Sequence, residues 1–142
     1  MRSMNLRLSH AVVYVVDQAR AKAFYTEKRG FEVRRDVRNG PVRYLTVGPV
    51  EQPDVELVLM PIEPGPFLDD ESARLLRTLV ERGALGGGAF ATDDCRKTFD
   101  ALRGRGVEFL SEPNERPDGL EAVFRDDSGN YYSVRETRRR QR

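Results

Sequence analysis

The chain has 142 residues, the size of one domain, and at this length a hydrophobic core can form without disulfides or structural metal. Its 24 basic and 23 acidic side chains leave a formal net charge of +1, which argues against a strongly charged partner such as nucleic acid. The single cysteine, Cys95, has no partner for an internal disulfide. The longest apolar run, residues 11–16, is too short to span a bilayer, and residues 1–5 lack a signal core. We therefore expect a cytoplasmic protein with no membrane partner.

The first half of the chain has the pattern of a strand, a helix and three further strands. Residues 8–16 are rich in β-branched side chains, Asp17 is a typical N-cap, and Gly30 can end a helix over about residues 18–29. The further strands are predicted over residues 31–37, 42–47 and 55–60. The Asn-Gly pair at 39–40 predicts that the first two of these form an antiparallel hairpin.

The second half repeats this plan. After a Pro/Gly-rich stretch, an amphipathic stripe predicts a linker helix within residues 69–82. A strand at 88–92, a helix at 94–105 and strands near 107–110, 120–125 and 130–134 follow. Matching residues are 76 apart, as from Asp17 to Asp93 and from Gly30 to Gly106. A duplicated unit of this kind predicts an α+β fold.

We therefore predict two βαβββ modules in tandem, over residues 6–61 and 86–137, within a single domain of residues 1–142. A lone sheet with one helix leaves its other face uncovered, and two modules can cover each other's concave faces, either within one chain or across a dimer. The arginine-rich residues 138–142 are predicted to be a flexible basic tail, since no aromatic or recognition-helix pattern accompanies them.

Several motifs, spread over nearly the whole chain, point to a known family. They are His10 seven residues before Asp17, the pairs Phe24-Tyr25, Gly30-Phe31, Asp93-Asp94 and Gly106-Val107, Glu56 in the fourth strand, and the segment 124–130. In this order and spacing they resemble the vicinal oxygen chelate superfamily, which includes glyoxalase I, extradiol dioxygenases and bleomycin-resistance proteins. The resemblance implies curved mixed sheets around a cavity with the helices outside, and it leaves the chemistry open.

The resemblance also implies where a metal would be bound. In metal-dependent members each module supplies one ligand from its first strand and one from its last, and these positions carry over to His10, Glu56, Gly87 and Ser133. A catalytic metal site normally has three protein ligands, but glycine has no side chain and a serine hydroxyl is a poor neutral donor. We therefore predict no metal and no cofactor. If the protein is an enzyme, the family implies a divalent metal such as Zn, Ni, Fe or Mn.

Strand alternation predicts which side chains face the cavity. Ala11, Val13 and Val15 form a uniform apolar face that suits the helix, so the opposite face is predicted to line the cavity. The same alternation in the fourth strand, and the family's ligand position in the last strand, complete the predicted ligand-binding set. Its members are His10, Tyr14, Glu56, Met60, Tyr131, Ser133 and Arg135. This lining suits a small, partly aromatic or amphipathic molecule that carries a polar group.

These residues also have structural interpretations. His10 could be a hydrogen-bonded structural histidine, and Glu56 could pair with Arg135 or with another inward-facing cation. The two tyrosines could be core aromatics, and the methionine could fill a gap in the core. Cys95 has no histidine nearby in the sequence and is not predicted to be a nucleophile.

Two functional classes follow. The favoured one is a non-catalytic protein that holds a small molecule in its cavity, as bleomycin-resistance members do. The alternative is an enzyme, either a metal-dependent lyase, isomerase or dioxygenase or a metal-free enzyme with His10 and Glu56 as an acid/base pair. We also expect a homodimer, mainly from the family resemblance and because curved sheets leave edge strands that a partner can cover.

Overall fold

The computed structural model describes residues 4–138, in which the chain divides into two compact units, Met1–Pro61 and Ile62–Arg142. The predicted single domain stays a prediction. Residues 139–142 of the predicted basic tail lie outside the described residues. In the described part of the chain, no helix combines the length and the apolar character that a membrane crossing requires.

The first unit contains one four-stranded mixed sheet. Its strands are β1 (His10–Val15), β2 (Glu32–Asn39), β3 (Val42–Gly48) and β4 (Glu56–Pro61), in the spatial order β1-β4-β3-β2. β1 and β4 run parallel, and the other neighbours are antiparallel. The predicted β2–β3 hairpin is confirmed, but its loop lies one residue later than the Asn-Gly pair. Asn39 still pairs with Val42, and Gly40 has a φ of 64°, the positive value that the first central position of a type II′ turn requires.

The second unit begins with the linker helix α2 (Asp70–Glu81) and then repeats the same order of elements. These are β5 (Gly86–Ala91), α3 (Cys95–Gly104), β6 (Phe109–Arg116), β7 (Gly119–Arg125) and β8 (Tyr131–Thr137). The spatial order is β5-β8-β7-β6, and β5 runs parallel to β8. The predicted tandem βαβββ arrangement is therefore confirmed, with a separate mixed sheet in each unit.

The helix of the first unit is one residue longer than its counterpart α3. It starts as α1 (Gln18–Ala23) and continues as a π-helical turn, Phe24–Lys28, in which the N–H of Arg29 donates to the carbonyl of Phe24 five residues earlier. A π turn holds one more residue than an α turn. The two modules were predicted to have matching residues 76 apart throughout. This prediction is therefore wrong for the residues that precede the π-helical turn.

The two helix caps show where the separation changes. The carboxylates of Asp17 and Asp94 both accept a hydrogen bond from a backbone N–H in the first turn, and these residues are 77 apart. Gly30 and Gly106, which follow the helices with positive φ values, are 76 apart. The residue that matches Asp17 is thus Asp94, and the predicted match to Asp93 is wrong.

One face of each sheet packs on the helix of its own unit. In the first unit Val13, Val15 and Leu59 are buried together with Ala21 of α1, which contacts β3 and β4. Apolar burial of this kind contributes about 25 cal/mol per Å² removed from water. In the second unit α3 buries Cys95, Phe99 and Leu102, and the Phe99 ring lies 4.6 Å from that of Phe109. The opposite face of each sheet is turned away from α1 in the first unit and from α3 in the second.

A salt-bridge cluster joins α1 to β2 and β3 of its sheet. Arg43 of β3 donates two hydrogen bonds of 2.8 Å to the carboxylate of Asp36 on β2, and Lys22 of the helix donates a third of 2.9 Å. The hydrogen bonds from Arg43, with those from Lys22, hold the pKa of Asp36 well below its usual range.

This cluster predicts part of the acid sensitivity of the fold. Because the pKa of Asp36 is lowered by folding, its stabilising effect is present above the unfolded pKa of about 3.9 and is lost as the pH falls below it. Asp36→Asn should lower the melting temperature at neutral pH and should flatten its decline between about pH 5 and about pH 3. Circular dichroism melts across this range measure both effects.

Asp54→Asn is the matched control, since Asp54 is exposed and lies in the loop before β4. It should leave the melting temperature and its acid decline close to those of the original protein. An Asp36→Asn variant with an unchanged acid decline would contradict the role of this cluster.

Candidate functional site

The helix-free face of the first sheet carries the four predicted residues of that unit. His10 and Tyr14 of β1 pair in register with Glu56 and Met60 of β4, so that all four side chains lie on the same side of the sheet. Tyr14 and Met60 are half-buried, whereas Val13 and Val15, which flank Tyr14 along β1, are buried on the helix side. The structure thus brings these four residues together on one face, which we call the open face of the first sheet.

Glu56 is the centre of a short polar chain on this face. Its Oε1 accepts a hydrogen bond of 2.6 Å from the hydroxyl of Thr46, and the Nε2 of His10 lies 3.7 Å from the same oxygen. On the other side of the imidazole, Nδ1 lies 3.0 Å from the hydroxyl of Ser9. Thr46 is fully buried and Glu56 is 22% exposed, so the hydroxyl fixes one carboxylate oxygen in place.

Apolar and aromatic side chains share the open face with this polar chain. Antiparallel pairing places Thr46 opposite Val58 and Tyr44 opposite Val37, which adds these residues to the open face. Val12, Val37 and Tyr44 are exposed, at 51%, 54% and 39%, while Val58 is buried. An exposed apolar surface around one oriented carboxylate is a typical lining for a small-molecule site.

Thr46, Tyr44 and Val37 were missed by the sequence analysis. Thr46 lies among β-branched and aromatic residues of β3, where threonine is common for reasons of strand propensity alone. The pairing register of the hairpin could have placed all three, because residues opposite each other in an antiparallel pair share a face. That register was predictable only to within one residue, and a shift of one residue exchanges the faces.

The other three predicted residues lie on the face of the second sheet that is opposite α3. Tyr131, Ser133 and Arg135 alternate along β8 with the buried Tyr132 and Val134. Tyr131 is 42% exposed and is therefore not a core aromatic. The predicted alternation in β8 agrees with this placement. That these three residues line one pocket together with the four residues of the first sheet stays a prediction.

This second open face is more highly charged than the first. Both oxygens of Glu121 are in use, since one accepts from Arg135 at 2.9 Å and the other from Arg116 at 3.2 Å. Arg125 of β7 pairs with Glu108, which lies just before β6. The Arg135 guanidinium thus pairs with a carboxylate of its own unit. Glu56 likewise has its partners, Thr46 and His10, within the first unit.

Gly87 is not oriented as the family comparison predicted. The pairing of β5 with β8 shifts between Gly86 and Gly88, which leaves Gly87 in a bulge. A Cβ atom added at Gly87 would overlap the ring of Tyr132, a residue that is 99% buried on the helix side. The carried-over ligand position at Gly87 is therefore wrong for this chain, because a side chain there would enter the core.

The donor atoms do not fit a catalytic metal site. Among residues 4–138, no three His, Cys, Asp or Glu side chains are grouped so that they could hold one metal ion. His10 and Glu56 supply two donors, and one oxygen of Glu56 already accepts from Thr46. A three-ligand site of the kind found in metalloenzymes is therefore not formed by this donor set.

Cys95 is a core residue in the structure. It is fully buried at the start of α3, and its Sγ donates a weak hydrogen bond to the carbonyl of Val134 at 3.6 Å. Burial raises the pKa of the Cys95 thiol. A raised pKa and complete burial both disfavour a thiolate nucleophile.

With the geometry of both faces established, known proteins identify the family. Residues 7–134 match the model of the Glyoxalase/Bleomycin resistance protein/Dioxygenase superfamily. The chain belongs to this superfamily. The resemblance inferred from the sequence motifs is thereby confirmed.

Three proteins to which the chain is similar illustrate the range of relatives. The crystal structure of UcmS2 has a TM-score of 0.90 and 49% identity, covering 94% of this chain and 100% of that one. The antibiotic-binding protein TnmS3 from Streptomyces sp. CB03234 has a TM-score of 0.74 and 29% identity, covering 96% and 99%. The protein YetH of Bacillus subtilis (strain 168) is 31% identical over 131 residues, which are 92% of this chain and 98% of YetH.

The Gly87 bulge yields a stability prediction. Gly87→Ala places a methyl group against the buried Tyr132 ring, and overpacking of this kind costs about 1–3 kcal/mol in the free energy of unfolding. Gly104→Ala is the control, since a Cβ there meets no neighbouring atom at the end of α3. It should be neutral or stabilising by up to about 1 kcal/mol. Urea denaturation measures both, and a Gly87→Ala variant as stable as Gly104→Ala would show that position 87 can turn away from the core.

Proposed function

We propose that this protein binds a small, partly aromatic or amphipathic molecule on the open face of the first sheet and does not transform it chemically. The observation that supports this most directly is the composition of that face. Exposed Val12 and Tyr44 share this face with a single oriented carboxylate, Glu56, whose position is fixed by the buried Thr46. Such a face offers apolar contact area together with one directional polar group.

The proposed class of ligand is an antibiotic or a molecule of similar chemistry. TnmS3, which aligns with almost the whole of this chain, is an antibiotic-binding protein, and the superfamily includes bleomycin-resistance proteins. A shared fold does not by itself carry function, so the support comes from the two together, the relative and the composition of the face. We propose that Tyr131, Ser133 and Arg135 of the second sheet also contact the ligand.

Metal-free acid/base catalysis is the second candidate function. The Nε2 of His10 lies 3.7 Å from the Oε1 of Glu56, so that the two titratable groups are adjacent on the open face. Proton transfer to a substrate needs such groups within about 2.6–3.2 Å of the reacting atom or connected through one water. This arrangement favours a His10–Glu56 pair over any metal-dependent reaction, for which the donor set is incomplete.

Ligand binding can be tested with a panel of antibiotics. Isothermal titration calorimetry with bleomycin, doxorubicin and mitomycin C should identify a ligand and give its dissociation constant. In a separate unfolding experiment, that ligand at about 100 times its dissociation constant should add about 2.7 kcal/mol to the free energy of unfolding. Tyr44→Ala should weaken the binding of an aromatic ligand about threefold to tenfold, since aromatic contacts contribute about 0.5–1.5 kcal/mol. Phe67→Ala is the matched control, because Phe67 is 91% exposed and lies outside both sheets.

Two further measurements separate binding from catalysis. Mass spectrometry of the recovered ligand should show an unchanged molecule, and a stoichiometrically altered one would support the His10–Glu56 enzyme instead. Elemental analysis of protein purified without added metal addresses the metal-dependent alternative. Tightly bound Zn, Ni, Fe or Mn at one ion per chain would contradict a metal-free site.

We also propose that the protein is a homodimer. β1 lies at one end of the first sheet's strand order and β5 at one end of the second, and edge strands present backbone groups that a partner can pair with or cover. Light scattering at micromolar concentration should give a mass of twice 16.2 kDa. A single species with the mass of one chain would count decisively against the dimer.

A further inference from the structure

The loop that joins β3 to β4 is folded around one guanidinium. One terminal nitrogen of Arg34 donates to the carbonyls of Pro53 at 2.8 Å and Val55 at 3.5 Å. The other donates to the carbonyls of Pro49 at 2.7 Å and Gln52 at 3.2 Å. The Arg34 side chain is only 12% exposed. These carbonyl oxygens, which we call the carbonyl ring, match the planar fork of donors that a guanidinium presents.

Two features of the sheet allow the Arg34 side chain to reach this loop. The pairing of β2 with β3 shifts between residues 33 and 35, so Arg34 is the extra residue of a β-bulge. A bulge turns a side chain out of the regular alternation of its strand. On β3, a Cβ atom added at Gly48 would lie 2.9 Å from a terminal nitrogen of Arg34 and 2.7 Å from the carbonyl oxygen of Val55. The guanidinium and the loop therefore occupy the space that the glycine leaves.

The same contacts hold the peptide group that precedes Glu56. The carbonyl of Val55 accepts from Arg34, and the N–H of Glu56, at the other end of that peptide group, donates to the carbonyl of Ser9 at 2.9 Å. Because a peptide group is planar, holding both of its ends limits the direction in which the Glu56 side chain leaves the backbone. Ser9 directly precedes His10, whose imidazole lies 3.7 Å from the carboxylate. Arg34 is thus connected to the polar chain of the open face through the backbone.

The guanidinium is fully used within the protein. Both terminal nitrogens of Arg34 donate to the carbonyl ring, and Nε lies 3.1 Å from the Oε1 of Glu32. All three nitrogens therefore have partners, and the group is not a contact residue for a ligand. Its effect on the site comes from the conformation that it imposes on the loop.

The loop depends on this side chain because it has little else to hold it. Its own backbone bonds run from the N–H of Gln52 to Pro49 at 3.0 Å and from the N–H of Val55 to Gln52 at 3.3 Å. Pro49 and Pro53 have no N–H to donate. Removal of the guanidinium would leave the carbonyl ring without its donors, and acceptors that lose their partner are costly when they are shielded from water.

We propose that Arg34 is a positioning residue of the ligand site, which holds Glu56 in place by filling the carbonyl ring. The proposal rests on the proposed function, because Glu56 is the oriented polar group of that site. Thr46 holds the carboxylate at one oxygen, and Arg34 holds the backbone from which the carboxylate extends. The carbonyl ring is in this sense a guanidinium site that the chain fills with its own side chain.

Amide hydrogen exchange of the full chain tests this role. Arg34→Ala should speed the exchange of the Gln52, Val55 and Glu56 amides at least about tenfold, since hydrogen bonds to a charged group contribute that much or more. The amides of α1, which the carbonyl ring does not contact, should keep their rates. Arg35→Ala is the matched control, because Arg35 is the next residue of β2 and is exposed, and it should leave all of these rates unchanged.

Chemical rescue separates the carbonyl ring from a general loss of stability. Guanidinium chloride at tens of millimolar should restore slow exchange in Arg34→Ala, whereas sodium chloride at the same concentration should not. A protein that was merely destabilised would be destabilised further by guanidinium. Arg34→Lys keeps the charge but loses the planar fork, so its loop amides should exchange as fast as those of Arg34→Ala. It also carries the test if the alanine variant does not fold.

A double-mutant cycle tests the link from Arg34 to the carboxylate. Thr46→Val removes the hydroxyl that holds Glu56, and urea denaturation gives its cost in the free energy of unfolding. This cost should be smaller in Arg34→Ala than in the original protein, because a carboxylate that is no longer positioned has already weakened its bond to Thr46. In Arg35→Ala the cost should be unchanged.

Unchanged exchange in Arg34→Ala, no rescue by guanidinium, or an equal Thr46→Val cost with and without Arg34 would overturn the proposal. Bleomycin, doxorubicin and mitomycin C test the binding function separately. A compound that binds the original protein should bind Arg34→Ala at least about threefold more weakly, since a loosened site must be ordered again on binding. Equal affinity would overturn the positioning role and leave the binding function standing. If none of the three binds while exchange and rescue behave as expected, Arg34 positions Glu56 and the proposed antibiotic binding is wrong.

Discussion

The structure depends on the parallel pairing of the first and last strands of each module. Parallel neighbours need a crossover, and in the first unit the chain makes it through α1, β2 and β3, so that the helix covers one face only. The pairing of β1 with β4 then brings His10 opposite Glu56, two residues that are far apart in the sequence, on the face without a helix. The polar chain of the first open face exists because this register runs without interruption from His10 to Val15.

The same pairing in the second unit is interrupted, and this interruption distinguishes the two modules. The bulge at Gly87 turns the position that matches His10 toward the Tyr132 ring. Metal binding in this family, as the resemblance implies it, needs a ligand from the first strand of both modules. A glycine that approaches a buried aromatic ring so closely serves the packing of β5 against β8 and offers no place for a ligand side chain. The first module retains its polar pair while the second has lost the counterpart.

Periodicity in the sequence was enough to predict the faces but not the details of pairing. Alternation along β1 and β8 separated Val13 and Tyr132 from His10 and Ser133, because the strand period of two is set by backbone geometry. The π turn after Ala23 and the bulge at Gly87 each add one residue to an element. Their local sequences give no signal for this, since both depend on how the element packs against its neighbours.

The partners of the charged residues were the least predictable part of the site. Glu56 could have paired with Arg135 on the basis of charge alone, yet Glu121 stands directly opposite Arg135 on β7 and takes that guanidinium. Predicting this requires the β7–β8 register, which the turn at residues 126–130 sets through the buried Asp126. One oxygen of that carboxylate accepts the N–H groups of Ser128, Gly129 and Asn130.

The different use of charge on the two faces bears directly on where a ligand would bind. On the second sheet Glu121 is already neutralised by two arginines, and exposed pairs of this kind contribute about 0–1 kcal/mol each to stability. A ligand there would have to compete with existing ion pairs. On the first sheet the carboxylate of Glu56 is held by a neutral hydroxyl, which orients it without cancelling its charge. Among residues 4–138 the ion-pair partner of Glu56 is the imidazole of His10, 3.7 Å away, and no Lys or Arg pairs with this carboxylate. A ligand at Glu56 would therefore have fewer ion pairs to displace than a ligand at Glu121.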